Sequence, residues 1–278
     1  QMESLRRSLR IQFGLEGSLM EQYGTFLWKG LLHFDFGPSL MSYPTPVGEI
    51  IGTYLPYTLG LSLTTTVVAW LIGNFIGLLA GFRKDKRSSK ILEGIAICIY
   101  PVPYFMIALI LQIVFAYLLG WCPLQATIMT SGGFGAFFSS LMKASILPAV
   151  SLLLVGTGWW IISMKSLSST TAEEEFVLFA RYRGLPEKTI GKNYVFRNSI
   201  LTQITALAMS LGGVFGGSIM TEMIFGYPGV GTLIQKAILQ SDYNTMLGCI
   251  TISIVAIAVA TLIVDLIYPF IDPRIRYS

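Results

Sequence analysis

Gly94-Ile95-Ala96-Ile97-Cys98-Ile99-Tyr100-Pro101-Val102-Pro103-Tyr104-Phe105 opens an uncharged interval that continues to Met142. The number of membrane crossings in that interval sets the topology of everything after it. A spanning helix needs about 20 residues with few charges, so residues 94–142 are long enough for two. The interval breaks at Gly120-Trp121-Cys122-Pro123, and beyond it Ser131-Gly132-Gly133-Phe134-Gly135 and Ser139-Ser140 make a poor run for lipid exposure. We assign one span, ending where Trp121 marks the extracytoplasmic interface.

Four other uncharged intervals reach spanning length: residues 50–82, 144–164, 199–221 and 243–264. The chain therefore reads as all-α, a polytopic membrane helix bundle with five spans. Composition agrees, since it is 53% hydrophobic and 12% charged, against about 45–50% and about 25% in soluble domains. With five spans, the loops 83–90 and 165–197 share a side with the tail at 274–276 and carry thirteen of the nineteen Lys and Arg residues. The positive-inside rule puts that side in the cytoplasm and makes the chain a multi-pass protein of the cytoplasmic (inner) membrane. A sixth span inside 94–142 would split the two basic loops between opposite faces. Residues 1–49 then form an extracytoplasmic N-terminal segment, and residues 50–278 a transmembrane domain with a cytoplasmic loop at 165–199.

Several chemistries are disfavoured. Cys98, Cys122 and Cys249 fall in a helix, a loop and a helix, with no disulfide or metal spacing. His33, the only histidine, reads as a solvated loop residue, because a metal site needs several ligands. The basic residues flank spans instead of lining a groove with interleaved aromatics, which argues against nucleic acid. No Gly-x-x-x-x-Gly-Lys-[Ser/Thr] loop is present, so the chain does not hydrolyse ATP alone. A nucleophile–base constellation for an intramembrane hydrolase is equally hard to assemble. The reading is non-enzymatic.

The longest charged segment runs from Glu173 to Ser199. Thr171 followed three residues later by Glu174 predicts a capping box and a helix starting near Thr171. Phe176, Phe179, Ala180 and Arg183 would share one helical face. Gly184 can end that helix in a left-handed conformation, and Pro186-Glu187 can open a second one. Two short helices around a glycine elbow result. A juxtamembrane helix lying on lipid headgroups is the alternative reading.

This elbow, with Ala180-Arg181, Gly184-Leu185 and Arg197-Asn198, resembles the cytoplasmic coupling loop of binding-protein-dependent ABC permeases of the dipeptide/oligopeptide type. Leu178-Phe179-Ala180 stands where the generic pattern has Glu-Ala-Ala, and Thr202 where peptide permeases commonly have proline. Tyr100-Pro101-Val102-Pro103-Tyr104-Phe105 matches a Ser-Ile-Pro-x-Phe position of the family. The resemblance is strongest in Glu222-Met223-Ile224-Phe225-Gly226-Tyr227-Pro228-Gly229-Val230-Gly231, Asp242-Tyr243, Asp265-Leu266-Ile267-Tyr268 and Asp272-Pro273-Arg274-Ile275-Arg276. Arg6-Arg7, Gly14-Leu15-Glu16, Gln22-Tyr23 and the run from Phe34 to Ser39 resemble the region after the family's first span. The resemblance thus implies a sixth, N-terminal helix ahead of residue 1.

What the family implies is a permease subunit of an ATP-driven, binding-protein-dependent importer, most directly of peptides, with oligosaccharide or nickel-complex carriers among its relatives. ATP and Mg would sit on two partner ATPase subunits. A second homologous permease subunit and an extracytoplasmic substrate-binding protein complete the set, and this chain would bind no cofactor itself. Phe179, Ala180, Arg181, Gly184, Leu185, Arg197 and Asn198 would couple to the ATPases. Asn74 and the broken stretch with Tyr100, Pro101, Pro103 and Phe105 are candidates for the pathway wall, because irregular backbone at membrane depth is tolerated beside protein or a wet cavity. A plain helix kink, and for Asn74 a bond to a neighbouring helix, remain open. The turn at Phe225, Tyr227, Pro228 and Gly229, with Tyr243 after it, would form an outer loop meeting the binding protein. Gly212/Gly216 and Gly213/Gly217 have the Gly-x-x-x-Gly spacing of close helix contacts. An ion-coupled secondary transporter is the alternative from another class.

Overall fold

The computed structural model describes residue 11 and residues 17–82, 86–129, 131–212 and 214–271. The motifs at residues 6–10 and 14–16, Arg83-Lys84-Asp85, Gly213 and the closing Asp272-Pro273-Arg274-Ile275-Arg276 lie outside them. Helix α1 (Leu19–Thr25) starts with a capping box between Ser18 and Glu21 and widens into π winding over Phe26–Leu32. Then come α2 (Val47–Phe82), α3 (Arg87–Ile99), α4 (Tyr104–Leu111, wound on as π through Gln112–Leu118) and α5 (Gly133–Ala172). The second half holds α6 (Glu175–Tyr182), α7 (Glu187–Ile190, wound on through Gly191–Phe196), α8 (Arg197–Gly212), α9 (Val214–Phe225), α10 (Val230–Leu239) and α11 (Tyr243–Ile271). No strand occurs among the described residues beyond a single bridge between Pro38 and Pro46.

Among the described residues, three helices are long and apolar enough to cross a membrane: Val47–Phe82, Gly133–Ala172 and Tyr243–Ile263. A fourth is added if α3 and α4, bent by 96° at Tyr100–Pro103, count as one broken span. The fifth predicted interval, residues 199–221, is occupied by α8 and α9 on either side of Gly213.

The frame is the pair α2 and α5, the most extensively packed pair of helices. Lipid tails give no hydrophobic drive for one membrane helix to join another, so close backbone approach between small residues has to supply the attraction. Gly73, Gly77 and Gly81 provide it. A Cβ at Gly77 would lie 2.7 Å from the Ile161 carbonyl oxygen, one at Gly73 would lie 3.0 Å from that of Thr157, and one at Gly81 would collide with the Ser168 hydroxyl. Of the predicted Gly-x-x-x-Gly residues, Gly212 abuts Thr261 of α11, where a Cβ would lie 3.0 Å from the hydroxyl.

Two expectations are corrected. Residues 133–143, predicted as part of a loop, are the first turns of α5. Left-handed Gly132 and Gly133 (φ +114° and +83°) turn the chain into the helix, Phe134 stacks on Phe138 at 6.0 Å, and the hydroxyls of Ser139 and Ser140 donate back to the Ala136 and Phe137 carbonyls. The small polar residues that read as a break are satisfied within the helix. The predicted capping box at Thr171 does not form either. α5 runs through it to Ala172, Thr171 pairs with Ser199 (Oγ1–Oγ 3.2 Å), and the next helix starts four residues later with Glu174 as its N-cap.

Candidate functional site

The break between α3 and α4 borders a side-open cavity of about 250 Å³. Pro101 and Pro103 supply no amide donors, so the backbone leaves α3 at Tyr100 and restarts from Pro103. At the break Tyr100 packs on Trp159 of α5, ring centroids 5.2 Å apart. Gly158 admits this approach, since a Cβ there would lie 3.3 Å from the Ala96 carbonyl and 3.4 Å from the Tyr100 side chain. Tyr100, Tyr104, Trp159 and Trp160 form an aromatic side, and Ser62, Thr65, Thr66, Ser210 and Ser218 a hydroxyl side. No lining residue carries a formal charge.

Of the predicted pathway residues, only Tyr100 reaches this cavity. Pro101, Pro103 and Phe105 are exposed elsewhere. Asn74 is buried in α2 and donates to the Trp70 carbonyl of its own helix at 2.8 Å. The paired Trp159-Trp160 in mid-helix was the sequence signal available for the rest of this aromatic side.

At the other end lies the glycine elbow. The Leu185 amide donates to the Ala180 carbonyl (3.3 Å) and the Gly184 amide to that of Arg181 (2.9 Å), while Gly184 sits at φ +75°. This is a Schellman cap, and Leu185 makes its accompanying apolar contact by packing with Val177, Ala180, Ile190 and Val195. Ala180 is buried in this cluster, at 3% exposure. The buried residues of α6 are Val177 and Ala180, and the other residues expected to share a face with Ala180, namely Phe176, Phe179 and Arg183, are exposed. Phe179 points outward at 69% exposure, joined one turn on by Tyr182 at 86%, a residue the sequence reading did not select. Arg181 Nε reaches Glu187 Oε1 at 3.3 Å and spans the elbow. Arg197 and Asn198 are exposed at the start of α8, with Asn198 Nδ2 donating to the Tyr194 carbonyl at 2.7 Å.

The turn at residues 225–229 folds on a buried carboxylate. Glu222 is fully buried, and its Oε2 accepts the Gly231 amide at 2.8 Å at the start of α10. Gly229 and Gly231 are required here: a Cβ at the first would strike the carboxylate, and one at the second would sit 2.5 Å from the Ile219 carbonyl. Thr232 Oγ1 donates to the Tyr227 carbonyl (2.6 Å), and Tyr227 Oη lies 3.2 Å from Ser145 Oγ. Phe225 and Tyr227, predicted to face a receptor, are instead 2% exposed each, because their rings fill apolar clusters against α5. Tyr243 is exposed and Pro228 half-buried.

The sequence profile described as "binding-protein-dependent transport system inner membrane component" matches residues 73–277. The chain belongs to this family. The permease is 32% identical over 270 residues to the oligopeptide transport system permease protein AppB of Bacillus subtilis, covering 96% of this chain and 83% of that one. It is 30% identical over 275 residues to OppB, an oligopeptide transport system permease protein of Salmonella typhimurium, covering 97% and 85% respectively. Its fold resembles a crystal structure titled as an amino acid ABC transporter with histidines, at a TM-score of 0.59 and 15% identity, over 80% of this chain and 94% of that one. Membership makes this permease a membrane transport component and sets aside the ion-coupled carrier.

Proposed function

We propose that this permease forms half of the translocation pathway of an ATP-driven peptide importer. The other half comes from a second, similar permease subunit, with ATP and Mg on two partner ATPases and substrate delivered by an extracytoplasmic binding protein. The observation that carries this reading is the uncharged cavity of aromatic faces and hydroxyls at the helix break. Such a wall suits a peptide, whose amides need neutral hydrogen-bonding partners and whose side chains vary, since no fixed charge rejects either sign. The names of the relatives support a peptide over an oligosaccharide or a nickel complex.

Coupling is assigned to α6 and the elbow. Phe179 and Tyr182 project into a cleft on an ATPase, while Ala180, Gly184 and Leu185 hold the lever rigid and Arg181, Arg197 and Asn198 flank it. At the other face, Pro228 and Tyr243 meet the binding protein, and Phe225, Tyr227 and Gly229 shape the surface from within.

The test is reconstitution with the partner subunits, after identifying the ligand that co-purifies with the binding protein. Ser62→Trp should fill the cavity, abolish uptake and leave all subunits assembled. Unchanged uptake would remove the pathway reading, and an oligosaccharide or metal complex on the binding protein would replace the substrate class alone.

A further inference from the structure

Where α2 ends, a groove of about 620 Å³ lies between its last turns and the segment that follows the elbow. Its floor is Phe75, Leu78, Leu79 and Phe82, with Phe75 67% and Leu79 47% exposed. Gly191 sets the opposite wall, where a Cβ would touch the Phe82 ring at 3.4 Å. Lys86, Lys188 and Lys192 stand on the rim. None of the three has an ion-pair partner among the described residues, and the one acid on the rim, Glu187, is engaged with Arg181. The groove therefore has an apolar depth continuous with the exposed face of α2 and a cationic mouth with no ion-pair partner among the described residues where the helix leaves the membrane.

A soluble anion would use the mouth and leave the floor wet, and a neutral lipid would leave the lysines unpaired. One kind of molecule satisfies both halves. We propose that this groove binds an anionic phospholipid, with an acyl chain along Phe75 and Leu79 and the phosphate among Lys86, Lys188 and Lys192. Basic pockets beside membrane helices hold such headgroups through charge-assisted hydrogen bonds. A lipid there would wedge between α2 and the segment behind the coupling helix, so its presence would stiffen the lever. The site uses a face of the segment other than Phe179 and Tyr182 and does not depend on what substrate is carried.

The assembled transporter, purified in mild detergent, is titrated with dioleoyl phosphatidylglycerol or dioleoyl phosphatidylcholine and read by native mass spectrometry. We expect phosphatidylglycerol to bind saturably to this subunit, on the order of tenfold or more tighter than phosphatidylcholine given three lysines, and to resist displacement by inorganic phosphate. The combined Lys86→Gln, Lys188→Gln, Lys192→Gln variant should lose that lipid. Leu79→Trp, which keeps every lysine and fills the floor, should lose it too. Equal binding of the two lipids, release by phosphate alone, or retention of phosphatidylglycerol in both variants would overturn the proposal. So would dissociation of a partner subunit from the variants with lipid counts unchanged, which would mean that a protein covers the groove. Should the triple-lysine variant fail to assemble, Leu79→Trp decides by itself.

Discussion

Ser39 Oγ donates to Asp242 Oδ2 at 2.5 Å across 203 residues of chain, and both side chains are fully buried. The same carboxylate also receives the Met41 amide (3.2 Å), the Thr245 hydroxyl (2.8 Å) and the Thr245 amide (3.1 Å). It therefore ties the strap before α2 to the N-terminus of α11 and to the turn after α10. This bolts the neighbouring ends of three helices together.

Asp242 makes the first prediction. Burial alone pushes its carboxyl up, but the donors from Ser39, Thr245 and Met41 together outweigh burial and hold it below its ordinary value of 3.8. A depressed folded-state value means the stabilisation is fully present above the ordinary carboxylate range and is lost as pH falls from there through the lower folded-state value. Ser39→Ala should cost about 1–3 kcal/mol, because a buried charged acceptor loses a donor. Thermal melting in detergent checks both points: the gap between wild type and Asp242→Asn should begin to narrow as pH falls past the ordinary value of 3.8 and should close only below the lower folded-state value.

Gly184 at φ +75° has open space where a Cβ would go, so a substitution there is strained by backbone conformation and not by collision. Gly184→Val should cost about 1–3 kcal/mol locally and skew α6 against α7 without removing a span. We expect normal membrane insertion with lost transport, and ATP hydrolysis that no longer responds to loaded binding protein. Wild-type coupling in this variant, and in Phe179→Ala with Tyr182→Ala, would mean that α6 lies on headgroups instead of in a cleft.

The seam between α2 and α5 predicts failure of another kind. Gly77→Leu puts a side chain where the Ile161 carbonyl stands 2.7 Å from a bare Cβ. Overpacking typically costs about 1–3 kcal/mol when a core can shift, and here the obstacle is helix backbone. Loss of folded protein on size-exclusion chromatography is the expected result, whereas Gly60→Leu, with nothing within 4 Å, should be tolerated.

Tyr227 and Tyr243 should separate. Tyr227→Ala empties a buried ring site against Leu61 and Leu152 and should lower stability by about 3–5 kcal/mol, the range for large buried aromatics. Tyr243→Ala, at an exposed position, should leave stability within about 0.5 kcal/mol and weaken stimulation of ATP hydrolysis by the binding protein. Equal loss of stability in both would contradict the buried and exposed assignments.

Hydropathy, charge asymmetry and turn chemistry are local properties of the chain, and from them followed the helical membrane class, the interruption at Tyr100–Phe105 and the left-handed elbow at Gly184. Proline lacks a donor and glycine lacks a Cβ whatever surrounds them, which is why these features were legible without a fold. Distant contacts decided the rest. The Gly73-Gly77-Gly81 ladder acquires meaning only when Ile161 and Ser168 lie opposite it. Tyr227 and Phe225 look like loop residues by composition, and burial follows from α5 passing beneath them. Asn74 and Tyr100 were both candidates for the pathway, and helix packing left one bonded to its own backbone, beyond the cavity-lining part of α2, and the other at the cavity. Side-chain direction at membrane depth is set by which helix stands opposite, and a single sequence does not contain that information locally.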